Sequence, residues 1–339
     1  MTDAQFKAAQ AHYKEGRHVE GGRLLRQAAQ GGHAAAMSVL GYQVLSGRGA
    51  PLDKVAGVRM TVAAADMGDA TACTVAAALV AAGVFGGPEW PRALDYLCRG
   101  AEAGIPNAQA QLRLLAGRAG DDWRSLSREV DIESWRTAPE PRILCREPSV
   151  KAFEGVASPA VCDWIIGRAR NRLAPATVYG RSGDRVVDAT RGNSAFELDL
   201  AELDLVVLAV RERLATAAGL PVMNLNAPQV LHYAVGQGFA PHVDFFDPAI
   251  PDQAERIASG GQRAATALLY LNDDGLEGGE TDFPLAPLRH RGRRGDALVF
   301  FNLDAAGQPD RRTVHAGLPP TRGEKWLLSQ WIRVGAPRP

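Results

Sequence analysis

The chain has 339 residues, room for about two domains at roughly 150 residues each, and 46% of them are hydrophobic, enough to fill a core in both. That content excludes a disordered or collagen-like chain. Lys plus Arg balances Asp plus Glu at 38 each, so no global positive field draws nucleic acid or anionic lipid, and no apolar run reaches a membrane span.

The N-terminus, MTDAQFKAAQAHYKEGRH, lacks the basic start and apolar core of an export signal. The four cysteines (Cys73, Cys98, Cys145, Cys162) are widely spaced and form no C-x-x-C. A soluble cytoplasmic protein with buried, reduced thiols is expected, with neither membrane nor nucleic acid as partner.

Shifting the first 118 residues by 36 brings the same residue types into register three times: Gly32, Gly68 and Gly104; Ala29, Ala65 and Ala101; Ala36, Ala72 and Ala108. Segments such as 34–45 and 54–66 carry helix formers, and Gly-rich breaks (SGRGAP, FGGPEWP) separate them. Each unit therefore reads as a helix pair that buries its apolar face only by stacking on the next. The pattern resembles the Sel-type branch of tetratricopeptide-like repeats, whose members bind other proteins. That resemblance implies a protein partner on the repeats; the plainer role is to cap or dimerise the rest of the chain.

Residues 119–141 shift to charges, tryptophans and prolines, as a connector does, and a second domain is expected over 142–339. Ser158 and Pro159 cap and open a helix expected to run to about Leu173, and residues 198–218 read as a second, amphipathic helix. Short runs of β character follow (APQVLHYAV, APHVDFF, RAATALLYLND, GDALVFFNL, KWLLSQWIRV). Helices first and strands later predict a sandwich or jelly roll with helices on one side.

Within APHVDFF, alternation along a strand points His242 and Asp244 to one face, and His315 in RRTVHAG is a third candidate ligand. Two histidines and a carboxylate suit a non-haem Fe(II) oxygenase, which keeps positions open for substrate and dioxygen; the same three suit zinc. Lys325, in GEKWLLSQWIR, is one of only five lysines in the chain. Buried in a barrel, it needs an anion, and the distal carboxylate of 2-oxoglutarate is one. Tyr233 can add a phenolic hydrogen bond to the same acid, and Trp331 can wall the pocket. Arg333 is the alternative anchor. His232 should face the opposite side of its strand, His290 lies in the basic turn RHRGRRG, and His12, His18 and His33 fall in the repeats.

Six landmarks occur in order from residue 142 to 335: LHYAVGQGFAPHVDFF, QRAATALLYLND, GGETDFP, RRGDALVFFN, DRRTVHAG and GEKWLLSQWIR. This stretch resembles the prolyl 4-hydroxylase family of Fe(II)- and 2-oxoglutarate-dependent dioxygenases. The resemblance implies a multidomain α and α+β chain, a helical repeat solenoid followed by a double-stranded β-helix (jelly-roll) domain with flanking helices. It implies His242, Asp244 and His315 as iron ligands, Lys325 and Tyr233 on the cosubstrate, and Thr281 and Trp331 as further cosubstrate contacts.

Residues 179–194 match the family's loop over the peptide, which makes Tyr179 and Arg191 substrate contacts, and Arg263 matches an arginine near the substrate groove. Ala240 departs from the larger or polar residue of relatives, and Phe245 with Phe246 is expected to make the mouth apolar. The implied reaction is hydroxylation of a prolyl residue in a protein or peptide, with dioxygen as cosubstrate, 2-oxoglutarate decarboxylated to succinate, and ascorbate as reductant. The other readings are the same chemistry on another side chain or a free amino acid, and a repeat-based adaptor whose oxygenase domain senses iron or 2-oxoglutarate.

Overall fold

A computed structural model describes residues 2–179, 185–187 and 190–336. The chain forms two compact units, Met1–Ile132 with Leu200–Leu208, and Glu133–Asp199 with Ala209–Pro339.

The first unit is a run of helices: α1 (Thr2–Lys14), α2 (His18–Gln30), α3 (Ala34–Ser46), α4 (Lys54–Asp66), α5 (Ala70–Ala81), α6 (Trp90–Glu102), α7 (Pro106–Ala116) and α8 (Trp123–Glu129). Helix starts recur at the expected spacing of 36, at His18, Lys54 and Trp90 and again at Ala34, Ala70 and Pro106. The glycine anchors explain the period. Gly32, Gly68 and Gly104 adopt φ of +80°, +95° and +85°, a region that penalises side chains. Each closes its helix in a Schellman turn, with His33, Asp69 and Ile105 donating N–H to Ala28, Ala64 and Gly100, all at 3.0 Å. The next helix is then capped at once, by His33 and Asp69 side chains or opened by Pro106. Ala36, Ala72 and Ala108 are wholly buried, which is the close helix approach their size permits.

The connector, expected to pack partly on its neighbours, does so at its start. Asp122 caps α8 by accepting from Ser125 N at 2.9 Å, Leu126 is fully buried, and α8 packs on α6 and α7. The division between the units falls inside the expected connector, at Ile132 and Glu133.

After α9 (Ile132–Trp135) at the boundary come α10 (Pro159–Ala169), α11 (Leu205–Ala218), whose residues up to Leu208 count with the first unit, and α12 (Pro251–Gly260). The strands of the second unit are β1 (Pro141–Cys145), β2 (Val150–Phe153), β3 (Ala174–Pro175), β4 (Thr177–Tyr179), β5 (Arg185–Val187), β6 (Ser194–Glu197), β7 (Gln229–Tyr233) and β8 (Phe239–His242). The series continues with β9 (Arg263–Tyr270), β10 (Glu277–Gly278), β11 (Thr281–Phe283), β12 (Leu288–His290), β13 (Ala297–Phe301), β14 (His315–Gly317), β15 (Pro320–Arg322) and β16 (Lys325–Arg333). An eight-stranded antiparallel sheet runs β1-β2-β13-β9-β16-β7-β6-β3, and a four-stranded one runs β12-β11-β14-β8. Tyr233, Leu268, Phe300 and Leu327 of the larger sheet share one core with Phe283 of the smaller, with Phe239 packed against it. This is the expected jelly roll.

Three local expectations change. Ser158 does cap α10, accepting from Val161 N at 3.4 Å, but the helix stops at Ala169 rather than near Leu173. The second helix begins at Leu205, seven residues later than 198, because Asp204 caps it by accepting from Val207 N at 2.9 Å. It is also not amphipathic: Leu205–Val210, Arg211 and Glu212 are all buried, the mark of a helix packed on nearly every side. Finally, Cys73, Cys98 and Cys162 are buried free thiols, whereas Cys145 is partly exposed. No helix among the described residues is long and apolar enough to cross a membrane.

Candidate metal and cosubstrate site

Register places the histidines. His315 at the start of β14 stands directly opposite His242 at the end of β8, and their ring centres lie 4.3 Å apart. Asp244 does not come from the strand, since β8 ends at His242; it enters from the bend that follows. Strand alternation is therefore not what brings the pair together. The His242 Nε2 lies 3.8 Å from Asp244 Oδ1, and His315 Nε2 lies 3.7 Å from Asp244 Oδ2. One donor atom from each of the three fits within 4.8 Å of the others, and this is the metal-competent cluster among the described residues.

Both imidazoles are turned the same way by their neighbours. His242 Nδ1 bonds to the Ala240 carbonyl at 2.9 Å and His315 Nδ1 to the Thr313 carbonyl at 3.0 Å. A carbonyl only accepts, so each Nδ1 carries hydrogen and each Nε2 is the nitrogen left for the cluster. Burial, reinforced by His315, pushes His242 down to about 3, so it is neutral near pH 7. Burial would raise Asp244, but His315, His242, Arg263 and a bond from Thr266 outweigh it and hold the carboxyl at about 2. Two imidazole nitrogens and one carboxylate, drawn together within 4.8 Å, suit a divalent ion with vacant positions, as iron in an oxygenase requires. The donor set fits the family's metal.

A small cavity of about 40 Å³ adjoins the triad, lined among others by Tyr233, Thr281, Lys325 and Trp331. Lys325 is 1% exposed, and no carboxylate among the described residues lies within ion-pair distance of it. Burial pushes its ammonium down to about 7, with only a partial offset from Glu280. Tyr233 faces it across the ladder, and burial raises that phenol to about 12, so it stays a hydroxyl. Thr281 Oγ1 lies 3.2 Å from Tyr270 Oη, a buried partner that sequence reasoning missed. A buried cation beside two hydroxyls, with no anion of its own, fits a ligand carboxylate. Arg333, the alternative anchor, is absent from this cavity; its guanidinium donates to the carbonyls of Gly261 (2.8 Å and 3.1 Å) and Arg256.

A larger cleft of about 390 Å³ shares His242, Asp244, Arg191, Phe239 and Trp331 with that cavity. Arg263 lines it, donating to the Asp244 carbonyl at 3.2 Å and lying 3.9 Å from the Trp331 ring centre and 4.5 Å from that of Phe246. Arg191 is buried there, bonded to the Thr177 carbonyl at 2.7 Å and to Gln229 Oε1 at 3.3 Å. Phe245 and Phe246 both line the cleft, as expected, but Phe246 is buried beneath Arg263, and Glu197, Gln253 and Arg256 add polar groups to the lining. The side chain of Tyr179 lies outside the described residues.

His232 faces away, bonded to Glu324 at 2.9 Å. Two supports of Asp244 were not foreseen: Thr266 Oγ1 donates to its Oδ2 at 2.7 Å, and Asn302 Nδ2 donates to Thr266 Oγ1 at 3.1 Å. Their signal was a lone threonine within the run RAATALLY and a lone amide closing ALVFFN.

The 2OG-Fe(II) oxygenase superfamily profile matches residues 228–333, which include the triad and Lys325. "Prolyl 4-hydroxylase 1" of Arabidopsis thaliana is 32% identical over 244 residues, covering 66% of this chain and 84% of that one. Among solved structures, the viral collagen prolyl hydroxylase of Paramecium Bursaria Chlorella virus-1 is 26% identical, covering 56% of this chain and 98% of its own, with a TM-score of 0.43. A Sel1 repeat protein from Oxalobacter formigenes is 23% identical, covering 40% and 61%, with a TM-score of 0.30. With a relative matched over most of its length and the landmarks of the site in place, the chain belongs to the prolyl 4-hydroxylase family of 2OG-Fe(II) oxygenases.

Proposed function

We propose that this chain hydroxylates a prolyl residue in a protein or peptide, using Fe(II), 2-oxoglutarate and dioxygen, with ascorbate as reductant. The observation that carries the reading is the 32% identity over 84% of a plant prolyl 4-hydroxylase, on a chain whose cleft is lined by His242 and Asp244. Iron held by His242, Asp244 and His315, with 2-oxoglutarate, supplies the oxidising power that places one oxygen of dioxygen on a C–H carbon as the cosubstrate leaves as succinate and carbon dioxide.

The protein's own part is positioning. Lys325 pairs with the distal carboxylate, and the Tyr233 hydroxyl donates to the same group. Thr281 and Trp331 line the cosubstrate pocket, and Trp331 also faces the cleft. Arg263 and Arg191, each stacked on an aromatic ring, give the peptide a rigid cationic wall. The helical repeats, which stack neighbour on neighbour, offer a surface for a protein partner.

Anaerobic addition of Fe(II) and then 2-oxoglutarate should produce the visible charge-transfer band of the chelate, lost in His242→Ala. Prolyl peptides should then drive succinate release together with a gain of 16 mass units (one oxygen) on proline, where about that mass is the expectation from the chemistry. Succinate without peptide modification across prolyl peptides would move the target to another side chain. A folded, metal-loaded protein with no band would remove the dioxygenase reading.

A further inference from the structure

We propose that Asn302 is a positioning residue for the metal centre: it fixes the direction of the Thr266 hydroxyl, so that Asp244 Oδ2 is held by hydrogen bonding and Oδ1 is left for the metal. The inference rests on His242, Asp244 and His315 being the metal ligands.

The direction follows from counting hydrogens. A threonine hydroxyl has one hydrogen and two lone pairs. Asn302 Nδ2 lies 3.1 Å from Thr266 Oγ1 and fills a lone pair, and Asp244 Oδ2, 2.7 Å from the same oxygen, is an ionised acceptor that takes the hydrogen. Turning the Asn302 amide over would place an acceptor against Thr266. The hydroxyl would then have two acceptors and one proton, and Asp244 could be left facing a lone pair. Asn302 and Thr266 are essentially solvent-free, so water does not compensate.

Asn302 is also pinned. Its backbone N–H donates to the Ala264 carbonyl at 2.8 Å and its carbonyl accepts from Asp310 N–H at 2.9 Å. The side chain is thereby hung beside β9, the strand that carries Thr266. It keeps this place although its Oδ1 is buried without a partner, a cost that an apolar residue at the end of ALVFF would avoid. A carboxylate that gripped a metal with both oxygens would occupy a position needed by the cosubstrate. Committing Oδ2 to Thr266 prevents that.

The test is the affinity of the full chain for Co(II) alone, read from its visible absorption. Thr266→Val should weaken binding by about 10–100-fold, and Thr266→Ser, which keeps the hydroxyl, should stay close to wild type. Asn302→Leu, similar in volume, should weaken binding by about tenfold in the wild-type background and add nothing in Thr266→Val, because its effect passes through the hydroxyl. Equal losses in both backgrounds would make Asn302 a packing residue and overturn the proposal, as would unchanged affinity in Asn302→Leu. Melting of the metal-free protein checks folding, and Asn302→Ala replaces the leucine variant if that one does not fold. His242→Ala separates the two levels: Co(II) binding retained there refutes the ligand set itself, whereas binding lost there but intact in Asn302→Leu refutes only the relay.

Discussion

Lys325 stands directly opposite Tyr233 where β16 pairs with β7, its Nζ 5.1 Å from the centre of the phenol ring, fully buried and with no carboxylate partner among the described residues. Such a cation costs stability until a ligand anion arrives. Lys325→Met should therefore separate two properties. Affinity for 2-oxoglutarate, measured calorimetrically in the metal-loaded protein, should fall by roughly 10²–10³-fold, as expected for removing one member of a buried charge pair. The ligand-free protein should meanwhile gain about 1–4 kcal/mol in denaturant unfolding. A variant that binds the cosubstrate normally, or that is less stable than wild type, would refute the assignment.

The same lysine sets a pH dependence. Its pKa is about 7 when folded and ligand-free, against 10.5 for the ordinary group, so between those values the unfolded chain binds more protons. Stability of the ligand-free protein should rise with pH across that window, and the advantage of Lys325→Met should shrink with it. Cosubstrate binding runs the other way. The dianion needs the charged ammonium, so affinity should fall as pH climbs above about 7, approaching roughly tenfold per unit. Titrations at successive pH values check both slopes; a flat affinity profile in wild type would mean that Lys325 is charged without its ligand.

What was legible in the sequence was what local rules decide. Gly32, Gly68 and Gly104 announce themselves because a positive φ is a property of one residue, and their spacing of 36 recurs in the helix starts at Ala34, Ala70 and Pro106. Lys325 stood out because lysine is rare here, and His315 because it sits just before a strand-like run. Asp244 was found for the wrong reason, since H-x-D suggested a strand where the chain bends. Thr266 and Asn302 could not be read as partners, because 36 residues separate them and only the pairing of β13 with β9 brings their strands together. The burial of α11 was equally hidden: Arg211 and Glu212 look like a solvent face until Arg211 is seen donating to Gln330 and to the Leu225 and Asn226 carbonyls.

The repeat glycines make a separable prediction about backbone and packing. Gly68 has φ of +95° and open space where a Cβ would go, so Gly68→Ala should cost about 1–2 kcal/mol through backbone strain alone. Gly57 is helical, and a Cβ there would meet the Leu45 backbone at 2.6 Å. Gly57→Ala must push α3 and α4 apart and should cost more than Gly68→Ala, about 2–3 kcal/mol. Thermal unfolding of both variants gives the order; equal stability of Gly57→Ala and wild type would mean that the two helices do not approach as closely as described.

Residues 200–208 belong with the helical repeats, and Gln111 is the clearest reason. Its Oε1 accepts the Leu205 backbone N–H at 2.9 Å, while Asp204 takes that of Val207 at 2.9 Å, so two of the orphan donors that open α11 are satisfied. Gln111 is 1% exposed, and its Nε2 is bonded in turn to Asn107. Gln111→Leu would preserve the volume but strand a buried N–H, at about 1–3 kcal/mol. Arg48, which pairs with the buried Glu202 at 2.9 Å, adds a second tie to the same segment. A chain truncated to begin at residue 119 lacks both Arg48 and Gln111. Such a truncation should lose amide-exchange protection at Leu205 and melt earlier than the full chain, with Gln111→Leu reproducing the loss at Leu205. Full protection of that amide in Gln111→Leu would show that the segment holds its place without the repeat.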